Sequence, residues 1–344
     1  MRELKFIDIG SNLTDLMFQG IYNDKRHHEP DLEVVINRAV KGGLDKILIT
    51  AGSYQETVDA LGICEKLDPE CELLFTTIGV HPTRTKEFLC GDCAQKTDED
   101  LRMDCQSCQA HSANYIGRMK DLLRANRHRI KAIGEFGLDS DRLGFASMQI
   151  QERYFEMQFE LLDVCKLPMF LHIRGDQDCY SRFIWIINKK KHLWSEEGGV
   201  AHSFTGDLDQ LRMILDAGLE IGVNGCSLKT KENLDVAKCI PIDKLHIETV
   251  TDSPWCDIKP THSSYSLVET HFPQVNRPTK WEKDQLVKGR NEPVKIIQVA
   301  EVLYKLHSHP HSLDSSEISD TNLDFTEFAN KVYHNTLNMY FKTT

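Results

Sequence analysis

The chain has 344 residues, of which 40% are hydrophobic and 27% are charged, a composition typical of a globular protein with a sizeable core. The formal net charge of −11 argues against a protein that coats nucleic acid through general basic attraction. It does not exclude a nucleic-acid enzyme, because a local metal site and a few arginines can hold one phosphate on an acidic protein.

No apolar run approaches the roughly 18 residues of a membrane span. Residues 1–8 include an acid in their short apolar run and lack the core of a secretory signal. We therefore expect an intracellular protein, in the nucleus or the cytoplasm, with no membrane partner.

Apolar runs typical of buried strands recur along the chain, with helix-like segments between them. They predict eight strands, near residues 5–9, 46–50, 73–79, 130–135, 168–172, 198–202, 219–225 and 244–249. Eight strands alternating with helices favour one α/β domain, a (β/α)8 TIM barrel spanning residues 1–344. A doubly wound open sheet is the alternative, although no G-x-G-x-x-G follows the first strand, which weakens its nucleotide-binding version.

Two polar segments interrupt the alternation and are predicted to be insertions in the barrel. Residues 89–114 are rich in Cys and lack an amphipathic period, whereas residues 307–324 are rich in His, Ser and Asp and predict an exposed loop. The last segment, residues 325–341, is predicted to be a helix that packs on the barrel.

The 11 cysteines fall into two groups. Several lie singly in apolar runs and predict reduced thiols, among them Cys64, Cys165, Cys226 and Cys239. Within the first insertion a C-x2-C…C-x2-C pattern is formed by Cys90, Cys93, Cys105 and Cys108. This spacing suits a zinc site, but an exposed loop with unpaired or incidentally oxidised thiols is the alternative.

Side chains that can bind a metal lie at or just beyond the ends of four predicted strands. They are Glu135, His172, His202 and Asp252. The carboxyl ends of barrel strands meet at one rim, so these side chains together predict a metal-dependent hydrolase. Imidazole and carboxylate ligands suit zinc, manganese or magnesium.

Taken singly, each of these residues has a structural alternative. Glu135 could cap a helix or form a salt bridge, and either histidine could be a satisfied residue of the core or rim. Asp252 precedes Ser253 and Pro254, which makes it a good start for a helix.

Two further residues are placed to contact a phosphate. Arg174 lies two residues after His172, and a guanidinium grips phosphate oxygens through two hydrogen bonds. His81 ends the third predicted strand and could contact a phosphate, or it could be a turn residue fixed by Pro82.

In this order, the motifs resemble the TatD family of metal-dependent deoxyribonucleases, within the amidohydrolase-like barrels, and they are most similar to its eukaryotic branch. The resemblance extends from Phe6 to Phe341. It is carried by FIDIGSNLTD (6–15), GVHP (79–82), IGEFGLD (133–139), FLHIR (170–174), HSFTG (202–206), DSPW (252–255) and RNEP (290–293).

The resemblance implies a role for each candidate residue. The implied metal ligands are Glu135, His172, His202 and Asp252. Glu135 would bridge two metals when both are present, and Asp252 would also orient or deprotonate the attacking water, so these two are the candidate catalytic residues. His81 and Arg174 would contact the scissile phosphate.

The implied reaction is hydrolysis of phosphodiester bonds, as an exonuclease, in single-stranded DNA or at DNA ends. One or two divalent cations are implied, Mg²⁺ foremost, with Mn²⁺ or Zn²⁺ as alternatives. No obligate protein partner is expected.

The chain departs from the family pattern at the first and last strands. Many relatives carry two histidines in the opening motif where this chain has Gly10 and Asn12, which favours one tight and one weak metal. The usual Glu-Thr-Asp of the last strand is stretched between Glu248 and Asp252. Two extra residues would move Asp252 by about 6–7 Å along an extended strand unless a bulge absorbs them.

Two rival functions follow from these departures. One is hydrolysis of another ester or amide in the same barrel, for example D-aminoacyl-tRNA. The other is a catalytically degenerate binding protein. The phosphate-binding potential of Arg174 and His81 opposes the first, and the intact Glu135, His172 and His202 oppose the second.

Overall fold

The computed structural model of the chain describes residues 4–96, 104–248, 254–308 and 323–342. Within these ranges, eight parallel strands pair in chain order in one sheet. They are β1 (Phe6–Ser11), β2 (Leu44–Ile49), β3 (Leu74–Ile78), β4 (Ile130–Asp139), β5 (Met169–Arg174), β6 (Gly199–Ala201), β7 (Glu220–Val223) and β8 (Leu245–Ile247).

Each of the eight strands overlaps one predicted from the sequence, and the predicted (β/α)8 barrel is confirmed. β8 lies beside β1, with no ladder between them among the described residues, so the barrel is nearly closed. A doubly wound sheet would instead reverse its strand order near the middle.

Helices cover the outside of the barrel and the end at which its strands begin. The α-helices of the described ranges are α1 (Leu32–Lys41), α2 (Tyr54–Leu67), α3 (Gly91–Ala94), α4 (Gln106–Ala125), α5 (Met148–Gln158), α6 (Gln177–Lys189), α7 (Lys191–Trp194), α8 (Leu208–Ala217), α9 (Lys231–Ala237), α10 (Ile296–Ser308) and α11 (Phe325–Tyr340). None of these helices combines the length and the apolar character that crossing a membrane would require.

Short elements fill many of the connections. The 3-10 helices are Leu16–Gln19, Pro82–Phe88, Ser140–Arg142, Phe159–Leu161, Cys226–Leu228, Ile242–Lys244, Tyr265–Leu267, Pro278–Lys280 and Pro293–Lys295. Two small ladders pair Ile21–Tyr22 with Lys25–Arg26 and Gln274–Val275 with Leu286–Val287.

Several of the helices begin at a capping side chain that the sequence supplies. Ser53 accepts from the N–H of Glu56 at the start of α2. Asp207 at α8 and Asp324 at α11 each form a reciprocal capping box with the residue three positions on. Such caps satisfy N–H groups that have no partner within the first turn.

The core has two layers because side chains alternate along each strand. Outward-facing residues such as Met169 and Leu171 pack against the helices in one large cluster. A second cluster fills the barrel interior and comprises Ile7, Ile9, Leu48, Phe75, Ala132, Phe170, Val200 and Tyr340. The interior is therefore a packed core, and any chemistry has to take place at its rim.

α11 closes the end of the barrel at which the strands begin. Tyr340 belongs to the interior cluster, and its hydroxyl donates to the carbonyl of Met169 over 3.4 Å. Asn335 donates to the carbonyls of Ile242 and Leu245 over 2.7 and 3.0 Å. The predicted C-terminal helix that packs on the barrel is thus present, and it leaves the opposite end open for a site.

Three sequence predictions need correction. β4 does not end at Glu135 but continues to Asp139. The segment 89–114 was predicted to lack amphipathic structure, yet α4 starts at Gln106 and buries Cys108 and Ser112. Cys226 was predicted to be a reduced thiol, but it forms a disulfide with Cys256, at a Cα–Cα distance of 5.1 Å that suits this bond.

The second predicted insertion, 307–324, lies mostly outside the described residues. Its first two residues are the end of α10, where the ring nitrogens of His307 lie 2.8 and 2.9 Å from the carbonyl oxygens of Leu303 and Ile240, which can only accept. Asp324 at its other end is the cap of α11.

Candidate metal centre

β4 carries the central carboxylate of the site, Glu135. The pairing of β4 with β5 skips one residue there, so Glu135 bulges out of the ladder. A bulge of this kind re-aims a side chain, and such bulges are common beside active sites. Gly134 makes it possible, because its φ is +146° and a Cβ there would lie 2.0 Å from the carbonyl oxygen of Phe170.

Two histidines converge on one oxygen of Glu135. Nδ1 of His172 lies 2.8 Å from Glu135 Oε1, and Nε2 of His202 lies 2.7 Å from the same oxygen. His172 is on β5 and His202 follows β6 directly. The histidines are 8% and 3% exposed, so the three groups meet in a space that is largely shielded from water.

Asp139, the last residue of β4, is a member of the cluster that was not among the predicted site residues. Its Oδ2 lies 3.2 Å from Nε2 of His172, and its side chain is fully buried. Alternation along the strand could have revealed it, because positions 135 and 139 share one face once β4 is extended. The sequence prediction ended the strand at Glu135 and so lost this signal.

His81 joins the cluster from the end of β3. Its Nε2 lies 3.2 Å from Nδ1 of His172 and 3.4 Å from Oε1 of Glu135. On its other side, Nδ1 accepts from the N–H of Thr83 and caps the 3-10 helix Pro82–Phe88. His81 is therefore a turn residue whose ring also faces the site, and its contact with a phosphate stays a prediction.

Burial and charge shift the pKa values of the cluster in different directions. Burial lowers the pKa of His81 to about 3. Burial also opposes the charged form of His172, but hydrogen bonds to Asp139 and Glu135 outweigh it and raise the pKa of His172 to about 9. Burial also disfavours the ionised forms of Glu135 and Asp139. The neighbouring histidines outweigh this effect, hold the pKa of Glu135 well below its usual range and lower the pKa of Asp139.

Arg174 ends β5 and pairs in register with Asp139 on β4. Its side chain is partly buried, and among the described residues its guanidinium has no hydrogen bond or ion pair. The structure thus places Arg174 at the rim without bringing it into the cluster. Asp252, the fourth predicted ligand, lies outside the described residues.

A cavity of about 410 Å³ opens beside Glu135 and His81, within the size range of sites for small ligands. Arg84 and Arg142 also line it, and neither was predicted as a site residue. Arg84 is paired with Glu56 and Glu87, whereas Arg142 reaches only to 3.9 Å from Asp139. A wider cavity of about 870 Å³ lies beside Pro168 and Tyr340 at the other end of the barrel, away from these carboxylates.

The opening segment, with Gly10 and Asn12, offers no imidazole ligand to the site. Asn12 lines the cavity together with Glu135. Asp8 is fully buried, and its carboxylate accepts from the backbone N–H of Gly10 over 3.1 Å and from the hydroxyl of Ser11. These bonds lie at the irregularity in β1 between Asp8 and Ser11, so Asp8 has a structural task whether or not it meets a metal.

Glu248 follows β8 and lies beside the cluster. It is fully buried, and its carboxylate accepts from the N–H of Ser203 over 3.1 Å. Gly222 leaves the space it needs, because a Cβ there would lie 1.9 Å from Glu248 Oε1. Glu248 thereby anchors the residue that follows His202.

The donor set fits a divalent cation. Ligands about 2.1 Å from one ion lie roughly 3.0–3.4 Å from each other. Separations in the cluster include 2.7 Å between His202 and Glu135, 3.2 Å between His172 and Asp139, and 3.4 Å between His81 and Glu135. Two groups of three side chains are close enough to share an ion, namely Glu135, His172 and His202, and His81, Asp139 and His172.

Comparisons with known proteins agree with this geometry. The sequence profile of a family described as TatD related DNase matches residues 7–341. A Schizosaccharomyces pombe protein named Deoxyribonuclease Tat-D is 32% identical over 349 aligned residues, which cover 99% of this chain and 97% of that protein.

A more distant relative and a solved structure extend the comparison. A Salmonella typhimurium protein named 3'-5' ssDNA/RNA exonuclease TatD is 28% identical and covers 78% of this chain and 87% of its own length. The crystal structure of a hydrolase TatD family protein from Entamoeba histolytica superposes with a TM-score of 0.82 at 33% identity, over all of both chains.

Proposed function

Because the chain belongs to the TatD related DNase family, we propose that it is a divalent-metal-dependent deoxyribonuclease that removes nucleotides from single-stranded DNA or DNA ends. One observation carries the proposal: Glu135, His172 and His202 meet at a single carboxylate oxygen on the rim of the barrel. The exonucleolytic mode is supported by the name of the Salmonella typhimurium relative. A family of hydrolases argues against the degenerate binding protein.

The proposed metal ligands are Glu135, His172, His202 and Asp252. When bound, the cation would lower the pKa of a water molecule and offset charge on the phosphate. Asp139 keeps Nε2 of His172 engaged over 3.2 Å and so orients the ring. Asp252 is the proposed acceptor of the proton from the attacking water, and Glu135 supplies the carboxylate that two cations could share.

The proposed phosphate contacts are Arg174 and His81. The guanidinium of Arg174 has no partner in the described part of the chain, so it is available for two hydrogen bonds to a phosphate. Burial lowers the pKa of His81 to about 3, so this ring is neutral and can donate one hydrogen bond without adding charge. A guanidinium placed to bind anionic oxygens suits a phosphodiester better than the neutral amide or ester of the rival function.

The proposal is tested by metal-dependent release of nucleotides from single-stranded DNA. Mg²⁺ and Mn²⁺ are titrated with the wild type, with Glu135→Gln and with Asp252→Asn. The matched control is Glu160→Gln, which makes the same chemical change at a surface carboxylate paired with Lys120. We expect both site variants to lose at least about 100-fold in kcat and the control to keep its activity.

Folding of each variant is checked by circular dichroism. Full activity in Glu135→Gln, or release that persists in excess chelator, would overturn the proposed centre. Absence of nucleotide release by folded wild type with either metal would instead point to another ester or amide as substrate.

A further inference from the structure

The four cysteines of the C-x2-C…C-x2-C pattern come together in the structure, apart from the candidate metal centre. The sulfur atoms of Cys90, Cys93, Cys105 and Cys108 all lie within 4.8 Å of one another. Segment 97–103 separates the two pairs and is not among the described residues. All four ligands are described.

The spacing of the sulfurs fits a shared ion. Sγ of Cys93 lies 3.8 Å from Sγ of Cys105, and Sγ of Cys108 lies 3.4 Å from Sγ of Cys90. Four thiolates about 2.3 Å from one zinc ion, at the corners of a tetrahedron, lie about 3.8 Å apart. A disulfide would require about 2.05 Å, and all four residues are free thiols.

The backbone presents each pair on one side of a helix start. Cys90 precedes α3 and Cys93 is its third residue, while Cys105 precedes α4 and Cys108 is its third residue. In both pairs the cap residue is extended, which turns its side chain back toward the first turn. The backbone N–H of Cys90 also donates to Sγ of Cys108 over 3.4 Å, and such bonds stabilise a thiolate.

The surroundings of the cluster match those of a structural site. Cys93 and Cys108 are each 3% exposed and belong to the main apolar core. Without an ion, the four thiols would face one another only through weak S–H contacts, at the point where a 20-residue helix starts. No open coordination position is needed here, whereas a catalytic zinc keeps one.

We propose that Cys90, Cys93, Cys105 and Cys108 bind one structural zinc ion that fastens the start of α4 to the segment after β3. Such a zinc ion would also affect the candidate metal centre, through the segment that joins the cluster to His81. The 3-10 helix Pro82–Phe88 begins at His81 and ends two residues before Cys90. Glu87 near its end accepts from the hydroxyl of Tyr115 on α4 over 2.7 Å. The zinc would thus hold the far end of the 3-10 helix whose capping residue, His81, faces the candidate centre.

Metal content of the full chain tests the proposal independently of nuclease activity. Zinc is measured by mass spectrometry after dialysis against EDTA, in the wild type and in Cys105→Ser/Cys108→Ser. The active-site variant His172→Ala/His202→Ala separates the two sites, and Cys165→Ser/Cys239→Ser is the matched thiol control. We expect one EDTA-resistant zinc in all except the cluster variant, which loses it.

A second measurement uses the wild type, in case the cluster variant does not fold. Titration with a mercurial thiol reagent in the presence of a zinc-sensitive dye should release one zinc per chain, with the same amount in His172→Ala/His202→Ala. Cobalt substitution should give the visible bands of tetrahedral cobalt bound by thiolates.

Several results would overturn the assignment. They are zinc retained by a folded cluster variant, no EDTA-resistant zinc in protein purified under reducing conditions, iron as the ion held by these thiols, or a disulfide between the two pairs found by mass spectrometry.

Discussion

His81 and His172 contact each other, yet their surroundings shift their pKa values in opposite directions. Burial lowers the pKa of His81 to about 3, while hydrogen bonds to Asp139 and Glu135 overcome the effect of burial and raise the pKa of His172 to about 9. Without a cation, the cluster therefore holds its proton on His172 near neutral pH. That proton competes with any metal for the same ring.

We expect the affinity for Mn²⁺ to rise with pH, by roughly tenfold per unit, until the pH reaches about 9. Below the pKa of His172 each bound ion must displace one proton, and above it none. His81 is neutral across this range, and the carboxyl groups with lowered pKa values are already ionised, so neither adds to the slope. Calorimetric titration in two buffers of different ionisation enthalpy measures both the affinity and the proton released.

An affinity that stays constant between about pH 6.5 and pH 8.5, with no proton released, would contradict this account of the cluster. His172→Gln serves as the control, because it removes the titrating ring and should flatten whatever slope the wild type shows.

Asp139 gives a second prediction for a single residue. Asp139→Asn removes the charge that helps to raise the pKa of His172, so activity should fall about 10–100-fold and the pH dependence of metal affinity should move to lower pH. Asp141→Asn is the matched control, because Asp141 is exposed and only its backbone N–H contacts Asp139. Nuclease assays and metal titrations over a pH series check both effects.

If Asp139→Asn lost activity with an unchanged pH profile, Asp139 would have only a structural role. The shift in pH dependence is therefore the decisive observation, since a merely destabilised protein would not show it.

At the scale of elements, β4 shows where a strand pattern stops being informative. Its apolar run ends at Ile133, so the sequence predicted a strand end at Glu135. The strand continues because Gly134 and Gly137 adopt positive φ values of +146° and +153° that keep the chain paired with β5 beyond the bulge. Apolar periodicity predicts buried strands well, but it carries no signal for a polar segment that is held by its neighbour.

Gly137→Ala should destabilise the protein by about 2–4 kcal/mol. A Cβ at this position would lie 1.8 Å from the carbonyl oxygen of His172, so β4 or β5 would have to move and the cluster would open. Gly117→Ala on α4 is the control, because it meets nothing within 4 Å and should stabilise the helix by about 0.5–1 kcal/mol. Urea denaturation gives both values, and equal midpoints for the two variants would refute the argument.

Contacts between distant segments account for most of what the sequence did not predict. Local apolar patterns predict the eight strands, their order and the C-terminal helix. The same patterns locate Glu135, His172, His202 and His81, because each lies at or just after the end of a predicted strand. The disulfide between Cys226 and Cys256 joins residues 30 positions apart, and nothing in either local segment signals it. Arg142 reaches the cavity only because the chain turns directly after Asp139.

At the scale of the whole molecule, net charge limits how DNA can be held. With a formal charge of −11, the chain gains little from general attraction to phosphates, so binding has to rest on local contacts. Two exposed aromatic rings are candidates for such contacts. Trp255 is 54% exposed and hydrogen-bonds to Asp15, which lines the cavity. Phe145 is 62% exposed, and its backbone N–H donates over 3.1 Å to the carbonyl of Arg142, whose side chain lines the same cavity. Bases of single-stranded DNA stack on such rings without regard to sequence.

Replacing either ring should weaken binding of single-stranded DNA more than it slows the chemical step. Loss of one stacked base costs about 1–3 kcal/mol, so Trp255→Ala and Phe145→Ala should each raise KM by about 5-fold or more while kcat changes little. Trp185→Ala is the matched control, because Trp185 is 61% exposed but lies on α6, where Lys189 covers its ring at 4.7 Å. Steady-state kinetics on an oligonucleotide, at fixed ionic strength, measures the three variants side by side. If KM rose equally in all three, or kcat alone fell, the rim aromatics would not be the surface on which this acidic protein holds its substrate.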